Sequence, residues 1–135
     1  MLSGPLIDRI DIHIEVPKVE FKHLTDNSKA ERSAEIRARV LRARKIQEER
    51  FSDLPIHYNA QMGRKEIEKY CVLDEISSNL LRTAMERLSL SARAYDRILK
   101  VGRTIADMES AERVTSAHIA EAIQYRSLDR AYWSV

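Results

Sequence analysis

Ser91 stands at the head of the most regular helical pattern in the sequence, and two residues later Arg93 puts a cation into that helix's first turn. A serine there accepts one of the free N–H groups of the turn, so Ser91 reads as an N-cap. A cation at the same end opposes the positive pole of the helix dipole, at about 0.3–1 kcal/mol on a surface helix. An anion reverses that sign. Arg93, with Arg97 and Lys100 in a narrow arc of the same wheel, would meet a phosphate together with exposed amides and a favourable dipole. A second basic set, Arg37, Arg39, Arg42 and Arg44, falls on a predicted helix from Ser33 to about Phe51 and could neutralise nucleic-acid phosphates. It carries no interleaved aromatics for stacking a single strand. On the residues alone, both sets read at least as well as the solvated faces of amphipathic helices.

Most catalytic signatures are excluded. The glycines stand at 4, 63 and 102, a spacing that rules out a G-x-x-x-x-G-K-[ST] phosphate loop and a dinucleotide fingerprint. Neither G-x-S-x-G nor H-E-x-x-H occurs. The single Cys71 excludes an intrachain disulfide and a cysteine-based zinc cluster, and reads as a small buried residue beside Tyr70. His13 reads as a surface residue and His118 as a hydrogen-bonded packing residue. By itself the chain is not expected to be an enzyme.

These residues need elements to position them. At 135 residues the chain fits one domain with a real core, and 33% charged residues with three Gly and three Pro favour helices over a turn-rich β fold. A net charge of +2 is too small to name a nucleic-acid partner from the global balance. No signal peptide is apparent and no apolar run reaches the roughly 18 residues needed to span a bilayer. The expected setting is the cytoplasm, with no membrane partner.

The first stretch reads as the end of a domain. Ile10, Ile12, Ile14 and Val16 alternate with Asp11, His13 and Glu15 and stop at Pro17, the pattern of a half-buried strand. Nothing later offers a partner strand, so its sheet is expected to lie outside this sequence. A linker is predicted over 18–31. Helices follow over 33–51, 64–71, 74–88, 91–108 and from Thr115 onward. The fourth should bury Tyr95, Ile98, Leu99, Gly102, Ile105 and Ala106, with Gly102 marking a close crossing. The third should bury Ile76, Leu80, Leu81, Ala84 and Leu88, and Val114 should staple onto Ile119. Tyr125, Leu128, Tyr132 and Trp133 could dock back on the bundle. The fold class is thus all-α: a bundle of about five helices preceded by a remnant strand of a missing α/β core.

The blocks Ser3-Gly-Pro-Leu-Ile-Asp-Arg-Ile-Asp-Ile-His-Ile-Glu-Val16, Asn59-Ala-Gln-Met62, Leu90-Ser-Ala-Arg-Ala-Tyr95, Arg97-Ile-Leu-Lys-Val101, Arg103-Thr-Ile-Ala-Asp107 and His118-Ile-Ala-Glu-Ala-Ile-Gln-Tyr-Arg126 resemble the C-terminal part of the bacterial magnesium-chelatase-like AAA+ ATPases, the ComM competence group. The resemblance runs nearly end to end and is weak only in the linker and over 50–58. It implies a ring-forming ATPase whose P-loop core precedes this sequence: residues 1–24 would be the end of that core, poorly ordered on their own, and 25–135 the helical lid. It further implies an arginine finger at Arg9 and a second-sensor arginine at Arg93, with Arg97 beside it on the nucleotide. ATP and Mg would bind in the full-length protein, with none bound to the fragment. Its partners would be the missing core, identical ring subunits and DNA, on which it would be an ATP-driven motor in recombination or transformation. Ile7 replaces the more usual Leu, and Gly102 stands where Ala is commoner. The other reading is a stand-alone helical module that binds nucleic acid or an acidic protein through Arg37, Arg39, Arg42 and Arg44.

Overall fold

In the computed structural model, which describes residues 3–126, helix α1 forms over Gly4–Arg9 because Ser3 caps the Leu6 N–H and Pro5 sits in the first turn, where its fixed φ is pre-organised and its missing donor costs nothing. The remaining helices are α2 (Phe21–Leu24), α3 (Ser33–Arg50), α4 (Arg64–Tyr70), α5 (Glu75–Arg87), α6 (Ala92–Met108) and α7 (Ser116–Gln124), with a 3₁₀ turn over Asn59–Gln61. The all-α bundle is therefore as expected, with α1 and α2 in addition. None of the described helices is long and apolar enough to cross a membrane.

The strand predicted at Ile10–Val16 does not form, and no strand occurs among the described residues. Alternation cannot make a strand without a ladder partner, and none is present to satisfy the backbone. Single contacts hold its first part instead: the His13 N–H donates to the Tyr125 carbonyl at 2.7 Å, and the Arg126 guanidinium donates to the Ile10 carbonyl. Beyond them Ile14 and Val16 stand 66% and 82% exposed, and α2 buries nothing.

The core is built around α6, which packs on α3, α4 and α7, while α5 packs on α7. Leu81, Ile98, Leu99, Ala106, Val114, Ile119 and Ala122 form its centre, and Phe51, Met62, Ile67 and Cys71 close it on the α3–α4 side. The buried faces are rotated slightly from those predicted. On α6, Ala94 is buried and Tyr95 is exposed; on α5, Ser77 is buried and Ile76 exposed. Gly102 does mark a close crossing, since a Cβ there would meet Ile119 Cδ1 at 3.0 Å.

Two turns fix how α6 is entered and left. Ser89 and Ser110 take positive φ, 49° and 56°, and each closes the preceding helix. Leu90 N–H bonds Met85 O and Ser89 N–H bonds Glu86 O after α5; Ala111 N–H bonds Ala106 O and Ser110 N–H bonds Asp107 O after α6. These are the paired bonds of a Schellman cap, with serine where glycine is favoured. Of Tyr125, Leu128, Tyr132 and Trp133, the last three lie outside the described residues.

Candidate functional site

The start of α6 is a built structure. The Ser91 hydroxyl accepts the Ala94 N–H at 3.1 Å and donates its own proton to Asp8 Oδ1 at 2.7 Å, so α1 is tied to the helix cap. Arg93, in the first turn, is exposed and has no hydrogen-bond or ion-pair partner among the described residues. Beside it lies a cavity of about 270 Å³ lined by Gly4, Pro5, Asp8, Ser89, Ser91 and Arg93, with Leu88 and Leu90 at its apolar side. This gives a cation, open first-turn amides and the positive dipole end in one place, which suits an anion.

The other predicted basic residues are differently employed. Arg9 is exposed on the last turn of α1. Arg97 is half-buried in an ion pair with Asp11, and Lys100 donates to the Ala60 carbonyl at 3.2 Å. The structure thus does not bring Arg97 and Lys100 to the same free surface as Arg93. On α3, Arg39 forks onto Glu31 and Arg44 lies over the Tyr58 ring at 5.2 Å, leaving Arg37 and Arg42 exposed and without an ion-pair partner among the described residues.

Residues 30–126 match the family described as magnesium chelatase, subunit ChlI C-terminal. The chain belongs to this family. Among curated relatives, the competence protein ComM of Haemophilus influenzae is 43% identical over 130 residues, which are 96% of this chain and 25% of that protein. Proteins called YifB, of Salmonella typhimurium and Escherichia coli, are 42% and 38% identical over the same shares. The resemblance to the ComM-type, magnesium-chelatase-like C-terminal part therefore holds, and the chain spans about a quarter of the length of these relatives.

The region matched to the ChlI C-terminal family ends on Arg126, a residue to which the sequence reading gave no role. Its side chain is 1% exposed; it donates to the carbonyls of Ile10 and Asp8, the latter at 3.4 Å, and approaches Asp8 Oδ1 at 3.8 Å. His13, read as a surface residue, is instead buried, with Nε2 at 3.0 Å from the Ile7 carbonyl. Isoleucine alternation put it on a polar strand face with Asp11 and Glu15; without the strand, His13 turns inward while those two stay exposed.

The same region carries a buried polar cluster. Asp107 accepts from Arg50 at 2.8 and 2.5 Å, from Asn59 Nδ2 at 2.9 Å and from Arg103 Nε at 3.2 Å. Asn59 also donates through Nδ2 to Thr104 Oγ1 at 3.0 Å and through its backbone to Gln47 Oε1 at 2.9 Å. Arg103 reaches the Ala111 and Glu112 carbonyls. The Asn59 and Arg103-to-Asp107 blocks that carried the resemblance are thus one network that locks α3, the 3₁₀ turn and α6 together. The available signal was the Arg103–Asp107 spacing of four residues, which places opposite charges on one helical face.

His118 behaves as a packing residue: Nδ1 accepts the Thr115 N–H at 3.0 Å, which leaves Nε2 to donate to Glu109 at 2.7 Å. Burial pushes the Cys71 thiol up to about 11, so it is no nucleophile near neutral pH. Among the described residues no three His, Cys, Asp or Glu side chains converge as metal ligands.

Proposed function

We propose that this chain is the lid of a ring-forming AAA+ ATPase, and that Arg93 is the second-sensor arginine that senses the nucleotide's phosphates. The supporting observation is Arg93 itself: a guanidinium held against the positive end of α6, exposed and without a partner among the described residues. Such a placement disfavours the isolated chain and favours a phosphate-bound one. The cavity beside Arg93 is lined by that guanidinium and by the Asp8 carboxylate, whose charge the Ser91 hydroxyl partly engages. In this reading ATP and Mg bind in the full-length protein.

In this reading residues 1–24 end the ATPase core and 25–135 form the lid. Arg9 is presented as an arginine finger to the next subunit of a homo-oligomeric ring, where its fixed charge would offset charge building on a transferring phosphoryl group. Arg97 joins the nucleotide site only after releasing Asp11. The Haemophilus relative is called a competence protein, and in this reading the full-length protein is a cytoplasmic, ATP-driven motor on DNA in transformation or recombination.

The test is ATP hydrolysis by the full-length ring. Arg93→Ala and Arg9→Ala should each depress turnover by about 10³-fold or more, while the 135-residue chain alone hydrolyses nothing. Unchanged turnover in the Arg93→Ala ring removes Arg93 from the mechanism.

A second reading rests on Arg37 and Arg42, exposed on α3 without an ion-pair partner among the described residues. In it the chain binds nucleic acid or an acidic protein directly through α3. Affinity of this chain for DNA that falls steeply with salt, and vanishes when Arg37, Arg39, Arg42 and Arg44 are neutralised, would favour it.

A further inference from the structure

Two exposed apolar patches of opposite charge lie on different elements of this chain. The first is on the N-terminal half of α3, whose buried residues, Ala43 and Gln47, belong to its C-terminal half. Ile36, Val40 and Leu41 are 43%, 38% and 51% exposed, and with Arg37 and Arg44 they line a shallow groove of about 440 Å³. On the helical wheel all five fall within an arc of about 140°, the two arginines between Val40 and Leu41. Arg37 has no ion-pair partner among the described residues, and Arg44 rests on the Tyr58 ring, a contact that leaves its charge unmatched. The second patch is the corner where α4 passes into α5. Val72 and Ile76 are 67% and 71% exposed, and the exposed acids Asp74 and Glu75 stand between them in the sequence. Asp74 accepts the Ser77 N–H at 2.7 Å. A helix N-terminus accounts for the two acids, but not for the bare aliphatic side chains beside them.

We infer that these patches are the two halves of one interface between copies of this chain, α3 of one protomer seated on the α4–α5 corner of the next. Only that pairing sets base against acid. An α3-on-α3 contact would bring Arg37 and Arg44 against arginines, and a corner-on-corner contact would bring Glu75 and Asp74 against carboxylates. Both patches are exposed on the same chain, so neither covers the other. A contact between unlike surfaces runs head to tail and closes into a ring where the rotation allows. The inference rests on the ring-forming reading and supplies that ring with a contact inside the lid. It also favours protein over nucleic acid on α3, because a phosphate backbone engages Arg37 and Arg44 but has no use for Ile36, Val40 and Leu41. Patches of this size fall below the roughly 1,200 Å² of a standard interface. The contact is therefore weak between lone chains and gains from linkage in the full-length ring.

Mixing two variants tests the pairing. Sedimentation velocity of the 135-residue chain at rising concentration should show self-association that weakens with added salt. Leu41→Gln spoils the α3 patch and Ile76→Gln the corner; both side chains are exposed, so thermal unfolding should be unchanged. Each variant alone should associate about 10-fold more weakly or less. Mixed in equal amounts they should associate again but stop at the dimer, because one intact α3 then meets one intact corner and no further pair remains. A mixture no better than either variant alone overturns the inference, and so does a wild-type chain that stays monomeric up to about 1 mM. Duplex DNA bound equally by the wild type and by Leu41→Gln, with no self-association, assigns α3 to nucleic acid and overturns it as well. In the full-length protein, Leu41→Gln and Ile76→Gln should each raise the concentration needed for ring assembly by about 10-fold or more; assembly at the wild-type concentration overturns the inference. A full-length wild type that forms no ring counts instead against the ring-forming reading itself.

Discussion

Arg50 and Asp107, 57 residues apart, meet in a two-pronged ion pair at 2.8 and 2.5 Å around a carboxylate with no exposed side-chain surface. Arg103 and Asn59 occupy the remaining lone pairs. One carboxylate serves two guanidiniums in the cluster, so the cost of its removal falls on the groups left behind. Asp107→Ala should lower stability by about 3–5 kcal/mol, because two buried guanidiniums lose their partner. Asp107→Asn, which keeps an acceptor, should fall between it and the wild type. Urea denaturation with an unchanged m-value checks the order.

Removing Arg93 should act in the opposite direction. Arg93→Ala takes a cation from the positive end of α6 and breaks no contact found among the described residues, so the chain should gain up to about 1 kcal/mol. Thermal unfolding at low ionic strength measures it, and added salt should shrink the gain. A residue kept against its own fold's stability has its use elsewhere, which separates this change from Asp107→Ala.

Ser110 offers a purely conformational test. Its φ of 56° is the left-handed region, costly for a residue with a Cβ. Ser110→Gly should therefore stabilise the chain by about 1 kcal/mol, less whatever the freer unfolded chain takes back. A Tm that falls would mean that the serine side chain contributes more than its backbone costs.

At Gly102 two effects nearly cancel. Ala would improve helix propensity by about 1 kcal/mol, but its Cβ would sit 3.0 Å from Ile119 Cδ1, the far end of a side chain in a fully buried site. Gly102→Ala should come out within about 0.5 kcal/mol of the wild type, whereas Gly102→Val, which cannot be absorbed by a rotamer shift, should cost about 1–3 kcal/mol. Denaturation midpoints of the two variants decide it.

Cys71 reports on opening of the core. With its thiol held at about 11 by burial, almost none is thiolate at pH 8, while an unfolded cysteine is partly ionised there. Alkylation at pH 8 should be slow in the native chain and rise in step with the unfolding transition. Fast labelling without denaturant would mean that the α3–α4 side of the core opens on its own.

How far these features could be read in advance depended on range. Helices α5, α6 and α7 show in the sequence because apolar spacing, Asp74 and Ser91 caps and the Val114–Ile119 staple are local signals. The exposure of Tyr95 and Ile76 shows the limit of that approach: spacing gives a face, and the neighbouring helices choose its centre. Ser3 and Pro5 are just as local a signal for α1, and it went unread. The alternation misled because period two states what a segment could pair with, not whether a partner is there. The bonds of Asp107 to Arg50 and Asn59, and those of Arg126, were out of reach for a different reason. Their partners lie across the chain, and a buried charge is indistinguishable from an exposed one until the fold brings its counter-charge to it. At the candidate site, the misfit of Arg93 was legible because it is a property of one helix; the bond from Ser91 to Asp8 was not.

The grip of Tyr125 and Arg126 on residues 8–13 also sets a path for load. Tension entering through α1 leaves the backbone there, into the head of α6 by way of Ser91 and Arg97 and into the tail of α7. The run from 14 to 32 is bypassed and stays slack. A pull on α1 therefore reaches the bundle at the start of α6 and the end of α7, where a pull delivered along 14–32 would enter at α3.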